Sequence, residues 1–177
     1  PHGGVPLAGW QIKPVAVLLS SFREVLWLDA DVVPVGDVQR LFESDEYRAH
    51  GTLFWQDWSV DPHWLDAGFL REFGVDMVPG EREFEAGQLL IDKSRAWLAL
   101  QLVVYINTQF QYFYRRMYGD KDTWRLAHKL LAQPYGLSPH PADAVGRFEH
   151  PPNAVDAAGE AEFCGNTMLH KAPDGSP

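Results

Sequence analysis

The sequence predicts an α/β fold. Two observations carry that prediction: short apolar runs of strand length, and apolar residues at helical spacing between them.

The elements follow in order. Residues 3–9 read as a loop. Pro14 suits the first turn of a helix, where the N–H it lacks would have no partner, and Val15, Leu18 and Leu19 continue at helical spacing. Val25-Leu26-Trp27-Leu28 reads as a strand buried on both faces, ended by Asp29-Ala30-Asp31. Gly36-Asp37 can cap a short helix carrying Val38, Leu41 and Phe42. Residues 51–55 form a second strand, residues 56–80 an irregular stretch and residues 87–91 a third strand. The longest helix spans 94–118 and stops at Gly119. Another runs over 123–131, with Asp122 placed as its N-cap. Residues 133–160, rich in Pro, Gly and Ala, read as a long loop, and 163–170 as a final strand. No repeat or linker divides the chain, so residues 1–177 read as one domain.

Composition narrows the function. Apolar residues make up 46% and charged residues 22%, which places the chain among folded globular proteins. A formal charge of −9 argues against nucleic acid or an anionic membrane surface as the main partner. An acidic protein that binds a phosphorylated ligand needs local positive charge, which a metal ion can supply. The single cysteine, Cys164, excludes an intrachain disulfide and a Cys-rich zinc site. The chain opens on Pro1, without an initiator Met, and reads as part of a longer protein.

Residues two apart in an extended segment point the same way, so Asp29 and Asp31 are expected to aim at one point beyond the strand end. Two close carboxylates repel unless a cation or proton lies between them, and oxygen ligands suit Mg²⁺ or Mn²⁺. The residues alone leave a second chemistry open. Phosphatases of the haloacid-dehalogenase type also place Asp-X-Asp after a strand, with the first acid as nucleophile (here Asp29), and Gly119-Asp120-Lys121-Asp122 could imitate their later acidic motif.

Wider segments favour the first chemistry. Residues 11–34, which include Lys13 and Asp29-Ala30-Asp31-Val32-Val33-Pro34, resemble the donor-site segment of fungal α-mannosyltransferases. These are the α-1,3 enzymes and their α-1,2 relatives of glycosyltransferase family 71. Gly51-Thr52-Leu53-Phe54-Trp55-Gln56-Asp57, residues 84–93, Gly119-Asp120-Lys121-Asp122-Thr123-Trp124 and residues 163–170 are similar to further segments of that family, in its order.

The resemblance implies a GT-A-type nucleotide-diphospho-sugar transferase fold, incomplete at the N-terminus because its opening nucleotide-binding β-α-β unit is missing. It also implies a GDP-mannose donor, a mannose-bearing glycan or glycoprotein acceptor, a Mn²⁺ or Mg²⁺ cofactor and transfer with retention in protein glycosylation. Family members are Golgi proteins acting on the luminal side, with a membrane anchor that would lie outside this segment. A truncated, inactive glycan-binding relative is the non-enzymatic alternative.

Roles carry over residue by residue. Asp31 is expected to coordinate the metal, and Asp29 to reach it through water or to contact the ribose. His170 is a possible third ligand, although Leu169-His170-Lys171 stands where the family pattern has Gln-His. Lys13 would neutralise the diphosphate or else be a solvated surface lysine. Glu85 and Gln88 flank Ala86-Gly87, where glycine lets backbone approach a ligand, and would bind sugar hydroxyls or act in catalysis. Asp122, with Asp120 as the alternative, would stand beside the reacting sugar. Asp57 and Trp55 are substrate-binding candidates, with Trp55 and Trp58 as stacking faces. Trp97 and Trp124 are expected in the core, and His140 and His150 at the surface.

Overall fold

The computed structural model describes residues 9–58, 67–75, 78, 80–149 and 162–177. The first helix, α1 (Ile12–Leu19), carries Pro14 in its opening turn as expected and buries Lys13, Pro14 and Val17. It feeds β1 (Glu24–Leu28). Asp37 then accepts from the Gln39 N–H and caps a 3-10 helix over Val38–Glu43.

A short α2 (Asp45–His50) follows, which the sequence reading missed. Its signals are present in the sequence. Ser44 accepts from the Tyr47 N–H, two acids occupy the first turn, and Gly51 closes the helix at φ 73°. Gly51 is thus a helix stop rather than the first residue of β2 (Thr52–Gln56).

The central strand, β3 (Phe84–Asp92), pairs antiparallel with both β1 and β2. β2 also pairs in parallel with β4 (Gly136–Leu137), giving the order β1-β3-β2-β4. The mixed sheet with helices bears out the α/β prediction.

β1 corrects one expectation. It lies at an edge of the described sheet, and its residues are only partly buried although Val25 and Trp27 pack on one face and Leu26 on the other. β2 and β3 are buried on both faces. Phe54, Leu89 and Ile91 pack with Val17, Leu100, Val103 and Trp124 on one side. Leu53, Trp55 and Leu90 pack with Tyr47 on the other, so the alternation of the strand sorts one apolar run into two cores.

The helix expected over 94–118 is interrupted. It runs as α4 (Trp97–Thr108), breaks at Gln109 and resumes as α5 (Phe110–Phe113). Ile106, Asn107 and Thr108 are poor helix formers in sequence. The buried Asn107 amide also bonds Val103 O, Thr123 and the Tyr114 hydroxyl, which draws the following turn inward. Gly119, at φ 63°, therefore marks the approach to the next helix and not the end of α4. Trp97, expected in the core, is 49% exposed, whereas Trp124 is buried as expected.

α3 (Ala67–Glu72) lies inside the stretch read as irregular, where Phe69 and Leu70 pack against Ile106, Phe113 and Leu126. α6 (Lys121–Leu130) starts two residues before the expected helix. Asp120 holds its N-cap position, so Asp122 belongs to the first turn, where it reaches back to accept from the Tyr118 N–H at 2.8 Å.

The long loop is corrected as well. β4 and β5 (Asp143–Glu149) fall within 133–160, and β5 pairs antiparallel with β6 (Glu162–Leu169). β5 is exposed and gains its order from this partner, a non-local pairing that local composition does not signal. Gly146 and Gly165 cross so closely that a Cβ on Gly146 would lie 2.4 Å from Cys164 O. Among the described residues no helix is long and apolar enough to cross a membrane.

Candidate functional site

The strand ends and the chain's last turn enclose a cavity of about 690 Å³. Its walls come from residues 28–41, from Glu85, Gly87 and Gln88 of β3, from the end of β6, and from the tail at Ala172, Ser176 and Pro177. Asp29, Asp31 and His170, the three expected metal ligands, all line it. So do Glu85, Gln88 and Trp55.

The acidic pair reaches the cavity by a different route from the one predicted. Asp29 N still donates to Gly87 O at 2.7 Å, but Asp29 O then accepts from Val32 N at 3.0 Å. The chain turns at Ala30 and Asp31 and is not extended there, so alternation along a strand is not what directs the two side chains. The two acids also differ in commitment. Asp29 Oδ1 accepts from Trp27 Nε1 at 2.6 Å and Oδ2 from Lys13 Nζ at 3.0 Å. Asp31 is exposed, and its carboxylate has no hydrogen bond or ion pair among the described residues.

Lys13 is the largest surprise of the site. It is 4% exposed, which overturns the surface-lysine reading. Its ammonium donates to Ala86 O at 2.6 Å and lies 3.0 Å from Asp29 and 3.2 Å from Asp120. It joins α1, the end of β1, β3 and the start of α6. Burial pushes the Asp120 carboxyl above the usual aspartate range, and the Lys13 ammonium draws it back. Neither Asp120 nor Lys13 is among the cavity's lining residues, and Asp120 is connected to it only through Lys13 and Asp29.

Glu85 faces the cavity but curls onto its own strand, accepting from the N–H groups of Ala86 and Gly87 at 2.9 and 2.7 Å. β3 has its irregularity here: Leu53 pairs with Leu90, while Trp55 pairs with Glu85. The carboxylate satisfies N–H groups that the ladder leaves over. A Cβ at Gly87 would sit 3.2 Å from Glu85 Oε1 and would press on this carboxylate.

His170 is half-buried, and its Nδ1 is enclosed with no hydrogen-bond partner among the described residues. Burial lowers its pKa, and the charges of Glu85 and Asp57 work against that. An imidazole held neutral with a free ring nitrogen suits a metal. Asp31 and His170 are therefore uncommitted oxygen and nitrogen donors on one cavity, a set that fits a divalent cation completed by ligand or water oxygens. Among the described residues no group of three or more His, Cys, Asp or Glu is already gathered to hold one.

Two expected residues, Asp122 and Asp57, stand elsewhere, and Trp55 reaches the wall while almost wholly buried. Asp122, expected beside the reacting sugar, is 1% exposed and is not among the residues that line this cavity. Burial raises its pKa to about 6, opposed by the Tyr118 N–H and by Arg125, whose nearest nitrogen is 3.8 Å away and beyond hydrogen-bond reach. Asp57 is tied to Lys121 at 2.7 Å. Trp55 is 3% exposed; its indole N–H donates to Lys171 O at 2.9 Å, and its packing leaves no open face for stacking on a sugar. Trp58 is the more exposed indole and donates to Asp143 O. His140 is half-buried against Pro173 O, and His150 lies outside the described residues.

The sequence reading also missed Arg40, on the cavity wall, and the tail that meets it. The spacing of Arg40 behind Asp31 carried no signal of its own. The cation beside Asp29 is Lys13, from the helix before the acidic pair.

A family model described as "Mannosyltransferase putative" matches residues 3–67 and 77–172. Among curated relatives, alpha-1,2-mannosyltransferase MNN21 of Candida albicans is 26% identical over 198 residues, covering 88% of this chain and 30% of its own length. MNN24 of the same organism, also an alpha-1,2-mannosyltransferase, is 29% identical, covering 73% of this chain and 23% of its own length. Alpha-1,2-mannosyltransferase MNN5 of Saccharomyces cerevisiae is 24% identical, covering 76% and 32%. The chain thus spans less than a third of the length of these relatives.

Proposed function

The chain belongs to the mannosyltransferase family matched over most of its length, and from that premise we propose that it forms the donor site of a GT-A-type enzyme. That enzyme transfers mannose from GDP-mannose to a mannose-bearing glycan with retention. The reading extends to a protein-glycosylation enzyme of the Golgi lumen, anchored by a segment outside this chain. One observation carries it: Asp31 and His170, whose carboxylate and Nδ1 have no partner among the described residues, line one cavity with Asp29. At about 690 Å³ the cavity is of ligand size.

Asp31 and His170 would hold Mn²⁺ or Mg²⁺, with Asp29 contributing through water or binding the ribose. A divalent cation bound there supplies charge stabilisation for a departing diphosphate. The chain's own groups do the rest. Lys13 compensates the charge of Asp29 and fixes its orientation. Gln88 offers an amide to sugar hydroxyls. Glu85, pinned by two N–H groups on one oxygen, can turn its other oxygen to the transferred sugar. Asp120 acts at a distance, by holding Lys13.

Calorimetry on the intact protein tests this. GDP-mannose should bind the wild type in a Mn²⁺-dependent manner, and Asp31→Ala should weaken binding by at least about tenfold. Equal affinity in the two proteins would remove the donor-site assignment.

A further inference from the structure

The cavity's charge balance points to a second, anionic subsite, and this rests on the nucleoside-diphosphate reading above. Among the described residues that line it, the acids Asp29, Asp31, Asp37 and Glu85 face one arginine, Arg40, and no lysine. Lys13, the cation expected for the diphosphate, is buried between two carboxylates and a carbonyl: it donates to Asp29 and Ala86 O and is ion-paired with Asp120, and it does not line the cavity.

Arg40 is differently placed. Its side chain is 62% exposed, and its Nη2 donates to Asp174 Oδ2 of the tail at 2.7 Å. An ion pair exposed on both sides is held weakly. A guanidinium, by contrast, matches two phosphate oxygens at once. Asp174 can also release it without being orphaned, because its Oδ1 accepts from the Ser176 N–H at 2.9 Å and the Ser176 hydroxyl at 2.6 Å. The tail would keep its anchor. Lys171 O accepts from Trp55 and from the Ser138 hydroxyl, away from the Arg40 pair.

We propose that Arg40 is a phosphate-binding residue of this cavity, occupied by Asp174 and exchanged from it by the diphosphate of the nucleotide. The tail carboxylate is then an internal competitor that the donor displaces.

Two ligands and three variants test the proposal on the intact protein with Mn²⁺ present. Arg40→Ala should weaken GDP by about ten- to thirtyfold and leave guanosine, which has no phosphate, unchanged. Arg40→Lys should recover part of that loss, as a charge without the fork. Asp174→Asn should tighten GDP by about two- to fivefold, because the competitor has lost its charge. Unchanged GDP affinity in Arg40→Ala, an equal loss of GDP and guanosine, or weaker GDP binding by Asp174→Asn would each overturn it. A wild type that binds neither GDP nor guanosine would sink the nucleotide reading itself. A wild type that binds both, with Arg40→Ala unaffected, would sink this inference alone.

Discussion

Two lysines in this molecule each sit between two carboxylates, with different consequences. Lys13 lies between Asp29 and Asp120 where strand ends meet the cavity. Lys121 lies between Asp57 and Glu83, 2.7 Å from each, at the start of α6. One partner of Lys13 remains open: the Asp29 side chain is 31% exposed and lines the cavity. The partners of Lys121 are mostly enclosed, and Glu83 is wholly buried. Burial works to lower the Lys121 pKa, but the hydrogen bonds to Asp57 and Glu83 outweigh it and raise it. The same ionic arrangement is therefore a fastening inside the fold in one place and a support for a ligand site in the other. What separates them is whether a carboxylate keeps a face toward open space.

The largest effect should come from the enclosed triad. Lys121→Met leaves Glu83 buried without its cation and should cost about 3–5 kcal/mol in urea unfolding. Adding Glu83→Leu should return much of that stability. A loss no larger than that of an ordinary surface substitution would remove the contrast between the triads.

Acid should act on the α6 side next. His128 is buried against Phe54 and Tyr135, and burial lowers its pKa to about 4. The unfolded chain then binds more protons between about pH 4 and the ordinary histidine value, so stability falls as pH drops through that window. The contribution is on the order of 3 kcal/mol. Asp122 has the opposite sign. Its pKa is raised to about 6, so its contribution is full below the ordinary aspartate value and is lost as pH rises through 6. Unfolding measured against pH should show His128→Leu without the acid-side loss and Asp122→Asn without the loss toward neutrality. Identical pH profiles in all three proteins would contradict the burial of both groups.

The cavity-side triad should show the smaller stability effect and the larger functional one. Lys13→Met should cost about 2–3 kcal/mol, less than Lys121→Met, because Asp29 keeps solvent and the Trp27 indole as partners. It should also weaken GDP-mannose binding, whereas Lys121→Met, measured where both variants are folded, should not. Equal loss of binding by the two variants would show that Lys13 has no special relation to the site.

Much of this was readable in the residues. The apolar runs at Leu53-Phe54-Trp55 and Leu89-Leu90-Ile91 announced strands, although coverage on both faces was expected of residues 25–28 instead. Asp37 announced its cap, and Asp29, Asp31, Glu85, Gln88 and His170 were named before their common cavity was visible. Such features depend on short-range periodicity and side-chain chemistry, which a sequence displays directly. Ser44 and Gly51 announced α2 equally well, but Gly51 was given to the strand that follows it. The break at Gln109 was less visible, because it depends on Asn107 meeting Thr123 and Tyr114 across the fold.

By itself, the sequence determined the alternation of strands and helices and the chemical types available for a donor site. The tertiary structure decided which of those groups remain free. Lys13, Asp120 and Asp122 look as available in the sequence as Asp31 and Arg40 do. The difference is partnership across tens of residues: 16 separate Lys13 from Asp29 and 134 separate Arg40 from Asp174. A charge buried with its partners is spent on holding the fold, and a charge left at the rim can meet a ligand. Which of the two befalls a residue is set by packing between distant segments, and no local pattern encodes that.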